Sequence, residues 1–132
     1  MTTLPTYRSL LAVPASSPRF MEKAAQGPAD AIFLDLEDAV IPALKPKARQ
    51  DAIAAINGLD WGGRGVAVRV NGFGTAWGCR DIIEVVEACP RLDYILLPKC
   101  ESAADVHAVQ MMLDGAEVAA PRERKIDRKS VV

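Results

Sequence analysis

The chain has 132 residues, with 16 Lys and Arg against 17 Asp and Glu and a formal net charge of -1. That length suits one domain, and the hydrophobic half of the composition is enough for a buried core and far from the disordered class. The near-neutral balance excludes a general nucleic-acid binder, and no apolar run reaches the roughly 18 residues of a membrane span.

Met1 to Tyr7 has neither the basic start nor the apolar core of a signal peptide, so a soluble, cytoplasmic protein is predicted. The first apolar run, "SLLAV" from Ser9, leads to Pro14-Ala15-Ser16-Ser17. A helix over Pro18 to Gln26 follows, with a stop at Gly27. The second run, "AIFLDL" from Ala31, ends in a knot of acids: Asp35, Glu37 and Asp38. Charged acids are rarely buried without a partner, so this knot needs a cation. Lys45 to Ile56 reads as the second helix, closed by Asn57-Gly58.

"GVAVRV" from Gly65 is the third run and carries Arg69, followed by Asn71 in "NGFG", a tight turn rather than a phosphate loop. Trp77 to Cys89 places Ile82, Ile83, Val85 and Val86 at helical spacing. "YILLP" from Tyr94 leads to Lys99 and Glu101, and Ser102 to Leu113 forms a fourth helix with a capping box from Ser102 and Asp105. Strands alternating with helices imply βαβ units and a parallel sheet, and near-continuous apolar runs suit strands covered on both faces. In such folds the carboxyl ends of the strands meet at one face, where the acids and Arg69 would share a cleft. A structural salt-bridge cluster would look the same. Lys99 is open between a Schiff-base nucleophile and an ion-pair partner of Glu37 or Glu101.

Cys79, Cys89 and Cys100 are odd in number and lack C-x-x-C spacing, so they read as reduced packing residues. His107, the sole histidine, belongs on the polar face of a helix and leaves no basis for a histidine triad or multi-histidine metal site. From Ala120, "APRERKIDRKSVV" is rich in basic residues and has no core period, which predicts a disordered tail over 115–132 after a domain over 1–114.

Taken in order, "RSLLAVPASSPRFMEKA", "ADAIFLDLEDAV", "VAVRVNG" and "ILLPKCESAADV" resemble the HpcH/HpaI aldolase and citrate lyase β-subunit-like family. "INGLDWG" from Ile56 looks most like its malyl-CoA and β-methylmalyl-CoA lyase branch. The resemblance implies a TIM (β/α)8 barrel, of which this chain holds an N-terminal part of about four βα units. It implies a lyase dependent on Mg2+ or Mn2+ that cleaves a 3-hydroxyacyl-CoA thioester to an acyl-CoA and an oxo-acid such as glyoxylate. Citryl-CoA lyase or a related 2-oxo-acid aldolase is the alternative within the family. A non-catalytic half-barrel that binds coenzyme A or a partner chain is the alternative outside it.

By the same resemblance, Arg69 binds the carboxylate of the oxo-acid, while Glu37 and Asp38 hold water ligands of the metal from its outer shell. Arg8, Arg19 and Lys23 are expected to meet coenzyme A. Relatives carry Gly and then Asn-Arg or Ser-Arg after the proline, whereas this chain has Ala15-Ser16-Ser17. The direct metal ligands belong to motifs that do not occur here, so the chain is expected to be inactive alone; by the resemblance, the full-length protein is expected to be a homo-oligomer. An open half-barrel with unpaired strand edges is also expected to associate.

Overall fold

The computed structural model describes residues 6–130; Met1 to Pro5, and the last two residues of the expected tail, lie outside them. Five parallel strands line up in chain order: β1 (Leu10–Pro14), β2 (Ala31–Asp35), β3 (Gly65–Arg69), β4 (Tyr94–Leu97) and β5 (Asp127–Ser130). Four α-helices connect them: α1 (Pro18–Gln26), α2 (Lys45–Gly58), α3 (Gly78–Ala88) and α4 (Ala103–Ala119). α1 has the bounds expected from its sequence, and α2 and α3 differ from theirs by one or two residues.

Alternation along each strand sorts the side chains by face. Ile32, Leu34, Val66, Val68, Ile95 and Leu97 pack in the main core with Met21, Ala52, Ile56, Ile82, Val85, Val109 and Leu113 from the helices. The opposite face carries a separate small cluster of Ala67, Tyr94 and Leu96, with Tyr7 and Phe33 against it and no helix. All helices on one face of a sheet in sequential order is the arrangement of a βα-barrel wall, not of a doubly wound sheet. The molecule is therefore a partial TIM barrel whose inner face carries the smaller cluster.

α4 continues past the boundary drawn at Asp114. Gly115 has open space around its Cα and Ala116 is buried, so the glycine neither ends the helix nor opens a hole. Beyond it, Arg122 Nη2 donates to three carbonyls, those of Cys89, Pro90 and Leu92, at 2.7 to 3.1 Å, and Ile126 is buried. The segment then pairs with β4 as β5, from Tyr94 opposite Asp127 to Leu97 opposite Ser130. A stretch without apolar period thus adds a strand, because ladder hydrogen bonds come from the backbone and an edge strand tolerates polar side chains.

His107 is exposed on α4 and Cys89 is buried, its thiol pushed up to about 12 by desolvation. Among the described residues no helix is long and apolar enough to cross a membrane.

Candidate functional site

The carboxyl ends of β2, β3 and β4 bring together the residues singled out by sequence, through a pairing that the sequence did not single out. β2 and β3 run in register from Ala31 opposite Gly65 to Asp35 opposite Arg69. Both side chains therefore end on the inner face, side by side. Arg69 donates from Nε to Asp35 Oδ1 at 2.9 Å and from Nη2 to Oδ2 at 2.6 Å, a bidentate pair in which Asp35 is almost fully buried. The Asp35 oxygens also accept from the backbone N–H groups of Glu37 at 2.8 Å and Ala39 at 3.3 Å. Hydrogen bonding to Asp35 raises the Arg69 pKa further above its ordinary value, against the opposing effect of burial. The guanidinium also lies over the Phe33 ring, 5.4 Å from its centroid.

Glu37 and Asp38 occupy the turn after β2, and Lys99 reaches them from the end of β4. Its ammonium donates to Glu37 Oε2 and, at 3.2 Å, to Asp38 Oδ1. Arg69 Nε stands 3.9 Å from Glu37 Oε1 as a second, longer ion pair. Asp38 titrates below the usual carboxylate range through hydrogen bonding with Glu37 and then Lys99, while the same two carboxylates raise the Lys99 pKa. Of the two readings left open for Lys99, this geometry is the ion pair. The partner is the Glu37–Asp38 turn rather than Glu101.

A buried polar layer holds the turn from behind. Lys45, at the start of α2, donates from Nζ to the carbonyls of Leu36 at 2.8 Å and Glu37 at 2.7 Å and to Asn71 Oδ1 at 2.7 Å. Asn71 donates in turn from its backbone N–H and Nδ2 to Asp81 Oδ2 at 2.9 and 2.7 Å. Arg49 Nε closes the chain on Asp81 Oδ1 at 2.8 Å and its Nη1 reaches Glu84 at 3.1 Å. Desolvation lowers the Lys45 pKa, which the negative charges of Glu37, Asp81, Asp35 and Asp38 partly offset, and the ammonium lies 5.4 Å from the Trp77 ring centroid. Gly78 begins α3 against this layer, where a Cβ would stand 2.8 Å from the Asn71 carbonyl oxygen, so only glycine fits.

Arg19 and Lys23 are exposed on α1, which starts at this same end of the sheet. Arg8 is not brought to them. It precedes β1 and pairs with Asp30, which precedes β2, at the amino ends of the strands, about 16 Å of extended chain from the Glu37 turn. The Arg8 guanidinium and backbone N–H hold the Asp30 carboxyl down at about 2, below its ordinary 3.8. Stability from a depressed carboxyl is complete above its unfolded value and drains as pH falls towards the folded one. The difference in urea midpoint between the wild type and Asp30→Asn should therefore shrink as pH falls from about 4 to about 2. A constant difference across that window would mean that the pair does not couple to folding.

Among the described residues no three His, Cys, Asp or Glu side chains group to hold a metal ion. Asp35 has both oxygens committed. Glu37 and Asp38, however, already converge on one cation, the Lys99 ammonium. The donor set fits an outer shell and not an inner one.

The HpcH/HpaI aldolase/citrate lyase family model matches residues 8–126. The chain belongs to that family. Its match extends past Asp114, into the segment that reads as a tail. The chain is 42% identical over 120 residues to the L-malyl-CoA/beta-methylmalyl-CoA lyase of Rhodobacter capsulatus, covering 90% of this chain and 38% of that protein. It is 41% identical over 130 residues to a (3S)-malyl-CoA thioesterase of Cereibacter sphaeroides, covering 86% of this chain and 45% of the thioesterase. This family member thus spans less than half the length of these relatives.

Among solved structures it superposes on protein CitE from Mycobacterium tuberculosis in complex with magnesium and acetate, with a TM-score of 0.68 and 36% identity over 93% of this chain and 43% of CitE. A further complex of that protein contains magnesium, acetoacetate and coenzyme A, at a TM-score of 0.66, 33% identity and the same 93% of this chain, 38% of that one. The malate synthase of Haloferax volcanii shares the fold, with a TM-score of 0.77 at 14% identity over 94% of this chain and 39% of that one.

Sequence reasoning named Asp35 and Asn71 at the strand ends without giving either a role, and it passed over Lys45 and Asp81. For Asp35 a signal existed: aligning "AIFLD" on "GVAVR" as parallel neighbours puts the acid beside the arginine.

Proposed function

We propose that the chain forms part of the catalytic barrel of a carbon–carbon lyase that cleaves malyl-CoA or β-methylmalyl-CoA to an acyl-CoA and glyoxylate. The observation that carries this reading is the Asp35–Arg69 pair. Asp35 takes the Nε–Nη2 edge of the guanidinium, which leaves the Nη1–Nη2 end for a second planar acid. That end belongs to a side chain 22% exposed, beside two carboxylates suited to a hydrated cation. A small oxo-acid and a divalent ion are the pair of ligands that such a corner would take.

Each residue then has a task. Arg69 fixes the oxo-acid carboxylate and balances its charge. Glu37 and Asp38 accept hydrogen bonds from water on the cation's surface. Lys45 and Asn71 keep the turn between them at a fixed distance from β3. Arg19 and Lys23, on α1, are the basic residues at the right end of the sheet for the phosphates of coenzyme A, whereas Arg8 serves the far end. Magnesium or manganese, when bound, supplies the Lewis acid that polarises the oxo group. In support, CitE, at about a third identity, has been crystallised with magnesium, an oxo-acid and coenzyme A.

The test is a chimera joining residues up to Ile126 to the remaining portion of the R. capsulatus lyase. It should cleave malyl-CoA in the presence of magnesium and lose that activity with EDTA. A folded chimera without cleavage would overturn the reading. The 132-residue chain by itself should show none, since its described residues offer no inner shell for the ion. EDTA-sensitive turnover by the purified chain would contradict this.

A further inference from the structure

Lys99 has the only positive φ outside glycine among the described residues, at 52°. The left-handed region costs a lysine of the order of 1 kcal/mol, so something at this position is gained in exchange. The gain is reach. From the end of β4 the side chain crosses to the turn after β2, past β3, and places its ammonium between Glu37 and Asp38. Glu37 is 8% exposed and needs a counter-charge, and Arg69, whose hydrogen bonds go to Asp35, offers it only a longer contact at 3.9 Å. Yet Lys99 itself is 68% exposed, and among the described residues nothing else anchors its tip. Asp35, Glu37 and Asp38 face Arg69, Lys45 and Lys99, so the corner is neutral as it stands and offers no net attraction to a free cation.

We propose that Lys99 is a tethered counter-ion: it holds the Glu37 and Asp38 carboxylates until a hydrated divalent cation takes them up, and it competes with that cation for them. The proposal rests on the reading of these two carboxylates as outer-shell groups. An ammonium and a hydrated ion each present N–H or O–H donors, so the same carboxylate oxygens serve either partner. The buried glutamate never loses its counter-charge in the exchange, while the exposed lysine swings into water at little cost.

The experiment titrates the chain with hexaamminecobalt(III), an exchange-inert stand-in for a hydrated metal ion, and follows backbone amide shifts of residues 35–40 by NMR at low salt. Lys99→Met should tighten binding roughly tenfold, because one unit of positive charge a few ångströms from the ion is removed. Lys99→Arg, which keeps the charge, should bind as the wild type does. Asp38→Asn added to Lys99→Met should cancel the gain. Equal or weaker binding by a folded Lys99→Met variant, or no binding by either protein, would overturn the proposal. Cleavage by the chimera is a separate measurement, so failure of the lyase reading appears there and not here.

Discussion

Asp81→Ala should destabilise the chain by about 3–5 kcal/mol, the range found when one partner of a buried ion pair is removed. The Asp81 side chain is 1% exposed and that of Arg49 only 6%. Without the carboxylate, Arg49 stays buried with only the half-exposed Glu84 to balance it. Asn71 loses the acceptor for both its backbone N–H and its Nδ2. Asn71 can then rotate, and Lys45 loses the Oδ1 acceptor that supports an already desolvated ammonium. Each orphaned donor adds a penalty of about 1–3 kcal/mol, though the losses overlap and do not add. Domain stabilities run to about 5–15 kcal/mol, so the variant should lie near its unfolding midpoint in little or no urea. Asp81→Asn keeps the shape and one acceptor oxygen and should fall between. A urea midpoint for Asp81→Ala within error of the wild type would show that this buried layer does not hold the corner together.

That network explains which parts of the molecule were legible in the sequence. The apolar runs set the strands, start and stop residues set α1 and α2, and a helical period set α3, because each of those signals is local. Lys45 gave no such signal. A lysine in the first turn of a helix reads as solvated, and its burial depends on acceptors from Leu36, Glu37 and Asn71, which only the fold brings together. Asp81 likewise reads as an ordinary acid complementing the N-terminus of α3. Glu37, Asp38 and Arg69 were legible because three charges beside apolar strands demand an account. Their partners were not, since a register between strands 34 residues apart decides whether Asp35 or Glu37 meets Arg69. The segment after Asp114 misled for the opposite reason. Its polar composition describes side chains, whereas α4 and β5 there are held by Ala116, Ile126, the Arg122 contacts and backbone pairing.

Arg69→Lys in the chimera should cost roughly two to three orders of magnitude in malyl-CoA cleavage while leaving the fold intact. The charge survives, so the Asp35 carboxylate keeps a cation and the barrel wall keeps its pairing. What disappears is the geometry. The guanidinium meets Asp35 along one edge and has another end free, whereas a single ammonium must choose between Asp35 and the oxo-acid. Asp35 is fixed by the backbone N–H groups of Glu37 and Ala39 and lies closer, so the lysine should settle on it. If the carboxylate contact is equally strong in ground and transition states, the loss appears in KM. If it tightens in the transition state, the loss appears in kcat. The fold is checked by circular dichroism and by the urea midpoint, which should stay within about 1 kcal/mol of the unmodified chimera. Near-normal kcat/KM with lysine at position 69 would mean that the free end of the Arg69 fork is not where the oxo-acid is held.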